Sequence, residues 1–222
     1  MSCQTSPSIK DGPSDGWKSV AVDVEQTLAG THLAMFDLIN EEQETDYSPD
    51  QVDTWSWMIE EFGRETFMKY GDRVWQERPS TIAPLGNIRR AIQYIGSEYD
   101  TDIVTARTGV EDEMKRWLYR HGVDESMYGE FRSIEPGRTK AELGYGYYLD
   151  DKPGLVEMLA PGQHQILISY PYNYHLSYRS GRHTRVLNVE AGASVLAPGY
   201  PRHPTKARDP RDPRDPRTEP PY

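Results

Sequence analysis

Short apolar runs alternate along this chain with segments of helical period. That alternation predicts an α/β fold, a Rossmann-like, mostly parallel sheet with helices on both faces. A second observation agrees. The runs are short, rich in Val and Ile, and bounded by polar or turn-forming residues, as buried strands of a parallel sheet are. A third sets the scale: no apolar run approaches the ~18 residues of a membrane-spanning helix, and the length suits one domain with an insert.

The elements follow in order. Lys18–Val24 (KSVAVDV) reads as a buried strand. Val52–Tyr70 reads as an amphipathic helical stretch with Trp55, Trp57, Met58, Ile59, Phe62, Phe67 and Met68. Leu85–Tyr99 places Ile88, Ile92 and Ile95 on one face and predicts another. Thr101–Thr105 (TDIVT) is the next strand. Val110–His121 reads as a helix closed by Gly122, where left-handed backbone ends the last turn. Glu130–Ile134 predicts a short strand, Thr139–Gly144 a short helix and Tyr147–Leu149 a strand. Leu155–Ala160 predicts a helix, and Gln165–Ser169 (QILIS) the closing strand.

The two ends differ from this middle. Residues 1–16 are rich in Ser, Pro, Gly and Asp and are expected to form a mobile leader. From about Gly199 the chain is charged and proline-rich, with Arg-Asp-Pro three times in succession from Arg208 to Pro216. A proline at every third position blocks helix and central strand, so an extended tail is expected. Such a tail is either a solvated spacer or a docking peptide for a protein partner.

The chain has 222 residues, 25 basic and 35 acidic, for a net charge of −10. That balance disfavours a broad grip on nucleic acid. Its Lys-poor basic set fits a salt-adapted protein and equally an ordinary acidic one. The single cysteine, Cys3, excludes an intrachain disulfide framework and a Cys-based zinc site. No apolar stretch marks the N-terminal segment as a secretory signal, so a cytoplasmic location is expected. The six histidines have no metal-ligand spacing. His175 and Tyr174 stand near a strand end and are candidates to line a cleft.

Parallel α/β sheets bind ligands beyond the carboxyl ends of their strands. Here those ends read Asp23-Val24-Glu25-Gln26-Thr27, Thr105-Ala106-Arg107-Thr108, Asp150-Asp151-Lys152-Pro153 and Tyr170-Pro171-Tyr172-Asn173. One polar strand end is a turn, whereas four on one rim predict a site. Asp23 and Glu25, one residue apart on extended chain, project to the same side. One carboxylate can attack while the other moves a proton. With Asp150 and Asp151, four carboxylates converge and would repel. A hard divalent cation held by oxygen resolves that, and Mg²⁺ suits the donor set of Asp23, Glu25, Asp150 and Asp151. A metal beside an attacking carboxylate points to phosphoryl transfer. Thr105 can bond a phosphate oxygen, and Lys140 can offset developing negative charge.

Together these residues resemble the haloacid dehalogenase superfamily of aspartyl-phosphate-forming phosphohydrolases. The chain is most similar there to the 5′(3′)-deoxyribonucleotidase-like nucleotidases. The superfamily's Asp-x-Asp-Gly-Thr motif appears as VAVDVEQTL, its strand ending in Thr as DIVTART, its lone lysine as Lys140 and its Asp-Asp pair as YYLDDKP. The similarity covers roughly residues 17–176. It implies a core of residues 17–28 and 83–198 carrying a helical cap at 29–82. It also implies a small phosphomonoester substrate, a 5′-nucleotide or deoxynucleotide.

Carried over residue by residue, Asp23 would be the nucleophile. Glu25 would be the acid and base, with its backbone carbonyl on Mg²⁺. Thr105 and Lys140 would hold the phosphate, and Ala106 and Arg107 would face the substrate. Asp150 and Asp151 would complete the metal site, Asp151 the more directly. Glu25 and Gln26 depart from the usual Asp and Gly. That departure keeps open an alternative, a catalytically inactive member that binds partners through its pocket or tail. Most aromatics of the 29–82 segment are expected to pack it, with one or two free to stack on a nucleobase.

Overall fold

The computed structural model describes residues 18–174, 181–197 and 199. The expected leader, His175 and the Arg-Asp-Pro repeats lie outside the described residues.

The sheet has six strands in the order β3-β2-β1-β4-β5-β6, and every pairing is parallel. The strands are β1 (Ser19–Val22), β2 (Asp100–Thr105), β3 (Phe131–Ser133), β4 (Tyr147–Asp150), β5 (His164–Ile168) and β6 (His183–Val186). The chain runs outward from β1 to one edge and then returns to build the other half from β4. The strand order therefore reverses between β1 and β4, where a crevice opens at the carboxyl ends. Asp23 follows β1, and Asp150-Asp151 ends β4, so the crevice receives both carboxylate groups.

Alternation along the strands divides the core. Val20, Val22, Ile103, Leu149, Ile166 and Ile168 face the larger side. There they meet α4 (Ile88–Glu98), α5 (Glu111–Arg120) and α8 (Val189–Leu196). Ala21, Val104 and Tyr148 face the opposite side, against Ile134, Tyr145, Leu155 and Leu159. That smaller side is closed by α6 (Leu155–Met158) and a 3-10 turn, Lys140–Leu143. Tyr148 brings a polar atom into this layer, and its hydroxyl is satisfied by Tyr145 N at 3.0 Å and Gln163 Nε2 at 3.1 Å. The dense tyrosines at 145 and 148 are thus packing groups.

Gly122 adopts φ +78° directly after α5, as its position predicts. The Val52–Tyr70 stretch is not one helix. Gly63, with φ +77° and ψ 150°, ends α2 (Trp57–Phe62) and starts α3 (Arg64–Glu77). Several elements were not anticipated. Helix α1 (Thr31–Gln43) spreads buried residues from Thr31 to Ile39 around more than one face, so its period is weak. Strand β6 (HTRV) is a polar edge strand, and α8 (VEAGASVL) is short and made mostly of small residues. A last single turn, α7 (Pro171–Tyr174), follows β5.

Helices α1, α2 and α3 pack on one another, and their residues face the strand ends across a cavity. Phe36, Tyr47, Trp57 and Phe62 fill the space between them, edge to face or tilted, with centroids 5.0–6.4 Å apart. Trp75 is buried against Trp117 at 5.9 Å. Among the described residues no helix is long and apolar enough to cross a membrane.

Gly192 of α8 lies close against the sheet. A Cβ there would sit 2.6 Å from Leu149 Cδ1, in a core with no slack. Gly192→Ala is expected to cost about 1–3 kcal/mol of stability, read from urea midpoints.

Candidate active site

Asp23 leaves β1 with its carboxylate at the floor of a cavity of about 340 Å³. Its Oδ1 accepts from Val24 N at 2.8 Å and from Lys140 Nζ at 2.6 Å. Its Oδ2 has no protein donor among the described residues. Lys140 also donates to Asp150 Oδ2 at 2.6 Å, so one buried ammonium bridges the ends of β1 and β4. The other oxygen of Asp150 accepts from Lys152 N at 2.7 Å. The Thr139 capping box with Glu142 starts the 3-10 turn that presents Lys140.

One carboxylate oxygen from each of Asp23, Asp150 and Asp151 lies within 4.8 Å of the other two, and all three residues are buried. Among the described residues one ammonium bonds to this cluster, which leaves two net negative charges if all ionise. Burial raises the pKa of Asp23 well above the usual carboxylate range; Lys140 opposes this, while Asp150 and Asp151 add to it. Burial and then Asp150 push Asp151 up to about 7. Burial pulls Lys140 down, but Asp150 and Asp23 more than offset it, so the ammonium is held charged. The oxygen-only donor set, buried and short of positive charge, fits a hard divalent cation.

Asp151 is steadied from the last strand end. The Tyr172 hydroxyl donates to its Oδ2, and Asn173 Nδ2 donates to its backbone carbonyl at 2.9 Å. Asn173 is fully buried, and Arg185 Nη1 of β6 donates to its Oδ1 at 2.9 Å. The unanticipated edge strand therefore braces the site.

Three residues expected at the site have protein partners of their own. The Glu25 side chain does not join the carboxylate cluster. Both its oxygens accept from Arg107 Nε at 2.9 Å, and Trp75 Nε1 reaches Oε1 at 3.2 Å. Arg107 does not reach freely toward a substrate, because its guanidinium is buried and bound to Glu25, Asp72 and the Met68 carbonyl. Thr105 is fully buried behind the wall, its hydroxyl accepting from Arg107 N at 3.1 Å; Ala106, Arg107 and Thr108 line the cavity instead. Sequence gives no signal for the Glu25–Arg107 pair, whose members stand 82 residues apart.

Gln26, in the place of the motif glycine, takes the left-handed φ of +57°. That conformation costs a non-glycine residue roughly 1–2 kcal/mol. Its Oε1 accepts from Thr31 Oγ1 at 3.1 Å and His32 N at 3.0 Å, and so caps α1, whose own N-cap Gly30 cannot. His32 lines the cavity beside Tyr172, and burial lowers its pKa to about 4, so it stays neutral near pH 7. Sequence reading passed it over because it has no ligand spacing.

From α2, α3 and the loop before them, Trp55, Met58, Ile59, Phe67 and Met68 form an apolar wall over the carboxylates. Trp55 is 42% exposed, and Lys152 Nζ sits 5.2 Å from its ring centroid. A larger, shallower groove of about 790 Å³ runs beside α5, past Lys115, Tyr119 and Arg120, and no buried acid converges on it.

This fold has counterparts among solved structures. A haloacid dehalogenase-like hydrolase from Streptococcus pneumoniae superposes with a TM-score of 0.53 at 10% identity, over 72% of this chain and 88% of that one. A predicted phosphoglycolate phosphatase from Haemophilus somnus gives 0.55 at 14% identity, over 83% and 98%. Protein Tyrosine Kinase A from Mycobacterium tuberculosis gives 0.57 at 12% identity, over 82% and 99%. Such likeness shows the fold alone, as the differing names attest. No curated protein matches the chain. The family described as 5′ nucleotidase, deoxy (Pyrimidine), cytosolic type C protein matches residues 18–190. The chain belongs to that family and is a haloacid dehalogenase-like phosphohydrolase of the nucleotidase kind.

Lys140→Met would strand three buried carboxylates without a counter-charge, at a cost of about 3–5 kcal/mol. Sign and window follow from Asp151, whose folded pKa of about 7 lies above its ordinary value of 3.8. The folded protein binds that proton more tightly, so the penalty is full above about pH 7 and eases as pH falls below it. Thermal melts of metal-free Lys140→Met are expected to show a larger deficit against wild type at pH 8 than at pH 5.5.

Proposed function

We propose that the protein is a Mg²⁺-dependent phosphomonoester hydrolase that acts on a small phosphorylated metabolite, a 5′-nucleotide or deoxynucleotide, through an aspartyl-phosphate. The observation that carries this reading is the state of Asp23. One of its oxygens is fixed by Lys140 and a backbone N–H and the other has no protein donor among the described residues, within a cluster of buried acids.

Asp23 Oδ2 attacks phosphorus as the bond to the leaving oxygen breaks. Lys140 holds Asp23 in line and offsets charge on the phosphoryl oxygens. Glu25 gives a proton to the departing alkoxide and then takes one from water. That water attacks the aspartyl-phosphate at phosphorus, releasing inorganic phosphate and the Asp23 carboxylate. Asp23, Asp150 and Asp151 are the side chains that would hold Mg²⁺, which when bound supplies charge that neutralises phosphate oxygens. Ala106 and Thr108 line the cavity, and their backbone N–H groups would meet the phosphate. A neutral His32 adds no charge to the cavity it lines.

The apolar wall supports a nucleobase as the rest of the substrate. Trp57 and Phe62 are used in packing, which leaves Trp55 and Phe67 on the cavity. Stacking contributes about 1–3 kcal/mol per base.

Phosphate release from a panel of nucleoside monophosphates, with Mg²⁺ and with chelator, tests the reading. Asp23→Asn is expected to lower release by at least about 10⁴-fold with an unchanged circular dichroism spectrum. Metal-independent release, or release that survives Asp23→Asn, would sink the mechanism. Trp55→Ala is expected to raise KM for a nucleotide by about 10-fold and to leave KM for a sugar phosphate nearly unchanged.

A further inference from the structure

One guanidinium ties the acid of this site to two parts of the fold. Arg107 follows β2 by two residues. Its Nε donates to both oxygens of Glu25, on the loop after β1, at 2.9 Å. Its Nη1 donates to Asp72 Oδ1 at 2.8 Å and to the Met68 carbonyl at 3.1 Å, both on α3. Gly71 of α3 lies against the guanidinium: a Cβ there would stand 2.3–2.4 Å from Nη2, Cζ and Nη1. A glycine inside a helix costs about 1 kcal/mol against alanine. Here the guanidinium fills the space a side chain would take. Trp75, also of α3, donates to Glu25 Oε1 at 3.2 Å, so Oε1 has two donors and Oε2 one.

Glutamate has one more rotatable bond than aspartate. Free, its carboxylate would sample several positions over the floor of the cavity. Clamped, it has one, and four of the groups that define it, the Met68 carbonyl, Gly71, Asp72 and Trp75, belong to α3.

We propose that Arg107 is a positioning residue: seated on Gly71 and Asp72, it aims Glu25, so that the proton-transfer group is in place only while α3 is docked over the strand ends. This rests on the hydrolase reading above, with Glu25 as acid and base. It assigns Arg107 to the protein's own acid and not to the substrate. It also accounts together for Glu at 25, Gly at 71 and Asp at 72.

Proton balance supplies the test. When the bond from phosphorus to a nucleoside oxygen breaks, the alkoxide must receive the Glu25 proton. A p-nitrophenolate leaves without one. Turnover of a nucleoside monophosphate and of p-nitrophenyl phosphate is compared in wild type, Gly71→Ala, Asp72→Asn, Arg107→Lys and Arg107→Met, the last also combined with Glu25→Gln. Gly71→Ala and Arg107→Met are expected to lose about 100-fold in kcat on the nucleotide with KM changed less than about threefold, and to lose under about tenfold on p-nitrophenyl phosphate. Arg107→Lys, which keeps charge but not the fork, is expected to resemble Arg107→Met. Arg107→Met is expected to add nothing once Glu25 is Gln. Asp72→Asn, at a half-exposed position where the fold tolerates change, is expected to show the same substrate split in weaker form.

Equal losses on both substrates overturn the inference, as do additive losses in the double variant. A wild-type rate in Gly71→Ala overturns it too. Those outcomes leave the hydrolase reading standing if wild-type release still depends on Asp23. Absence of Asp23-dependent release in wild type overturns that reading and the inference with it.

Discussion

Lys140 holds the site together. Its ammonium sits 2.6 Å from Asp23 and 2.6 Å from Asp150, buried between the ends of the two strands where the sheet changes direction. Without it, adjacent parallel strands would deliver three carboxylates to one dry crevice. Such groups repel, and burial alone already disfavours their charged forms. The ion triad makes that concentration of acid compatible with a folded chain. It leaves a deficit of positive charge, which is the property a metal and a phosphate can use.

The rest of the structure serves this arrangement in layers. The register of β1 against β4 pairs Val22 with Leu149, so Asp23 and Asp150 emerge side by side. The capped 3-10 turn sends Lys140 in from below. Strand β6 and α7 act at one remove: Arg185 on β6 grips Asn173, Asn173 grips the Asp151 backbone, and Tyr172 holds its carboxylate. Above, α1 to α3 close the cavity with apolar side chains, and Arg107 fastens α3 to the strand ends. Local deviations are explained by the same demand. Gln26 accepts a left-handed backbone because its amide caps α1, and Gly71 sits in mid-helix because a guanidinium lies against it.

Much of the fold was legible because hydrophobic periodicity is local. The runs around Val20–Val22, Ile103–Val104, Tyr148–Leu149 and Ile166–Ile168 announce strands wherever they fall, and the polar residues after them mark one rim. Helix α1 was missed because its apolar residues lack a single face, and β6 because an edge strand need not be apolar. The break at Gly63 was overlooked because an isolated glycine inside a helical pattern is compatible with either a continuous or an interrupted helix.

The sequence alone determined which chemistry this chain can bring to a strand end: Asp23, Asp150, Asp151 and Lys140 are short-range features of three motifs, and topology for an alternating chain has few solutions. Only the tertiary structure decided how those groups are shared. It turned Glu25 away from the carboxylates and toward Arg107, hid Thr105 behind the wall, and separated the packing aromatics Trp57, Phe62 and Trp75 from Trp55 and Phe67 on the cavity. The physical reason is range. Backbone preference and burial act on neighbours in sequence. An ion pair joins residues 82 apart and is set by distances of 2.9 Å that only the assembled helices and sheet define.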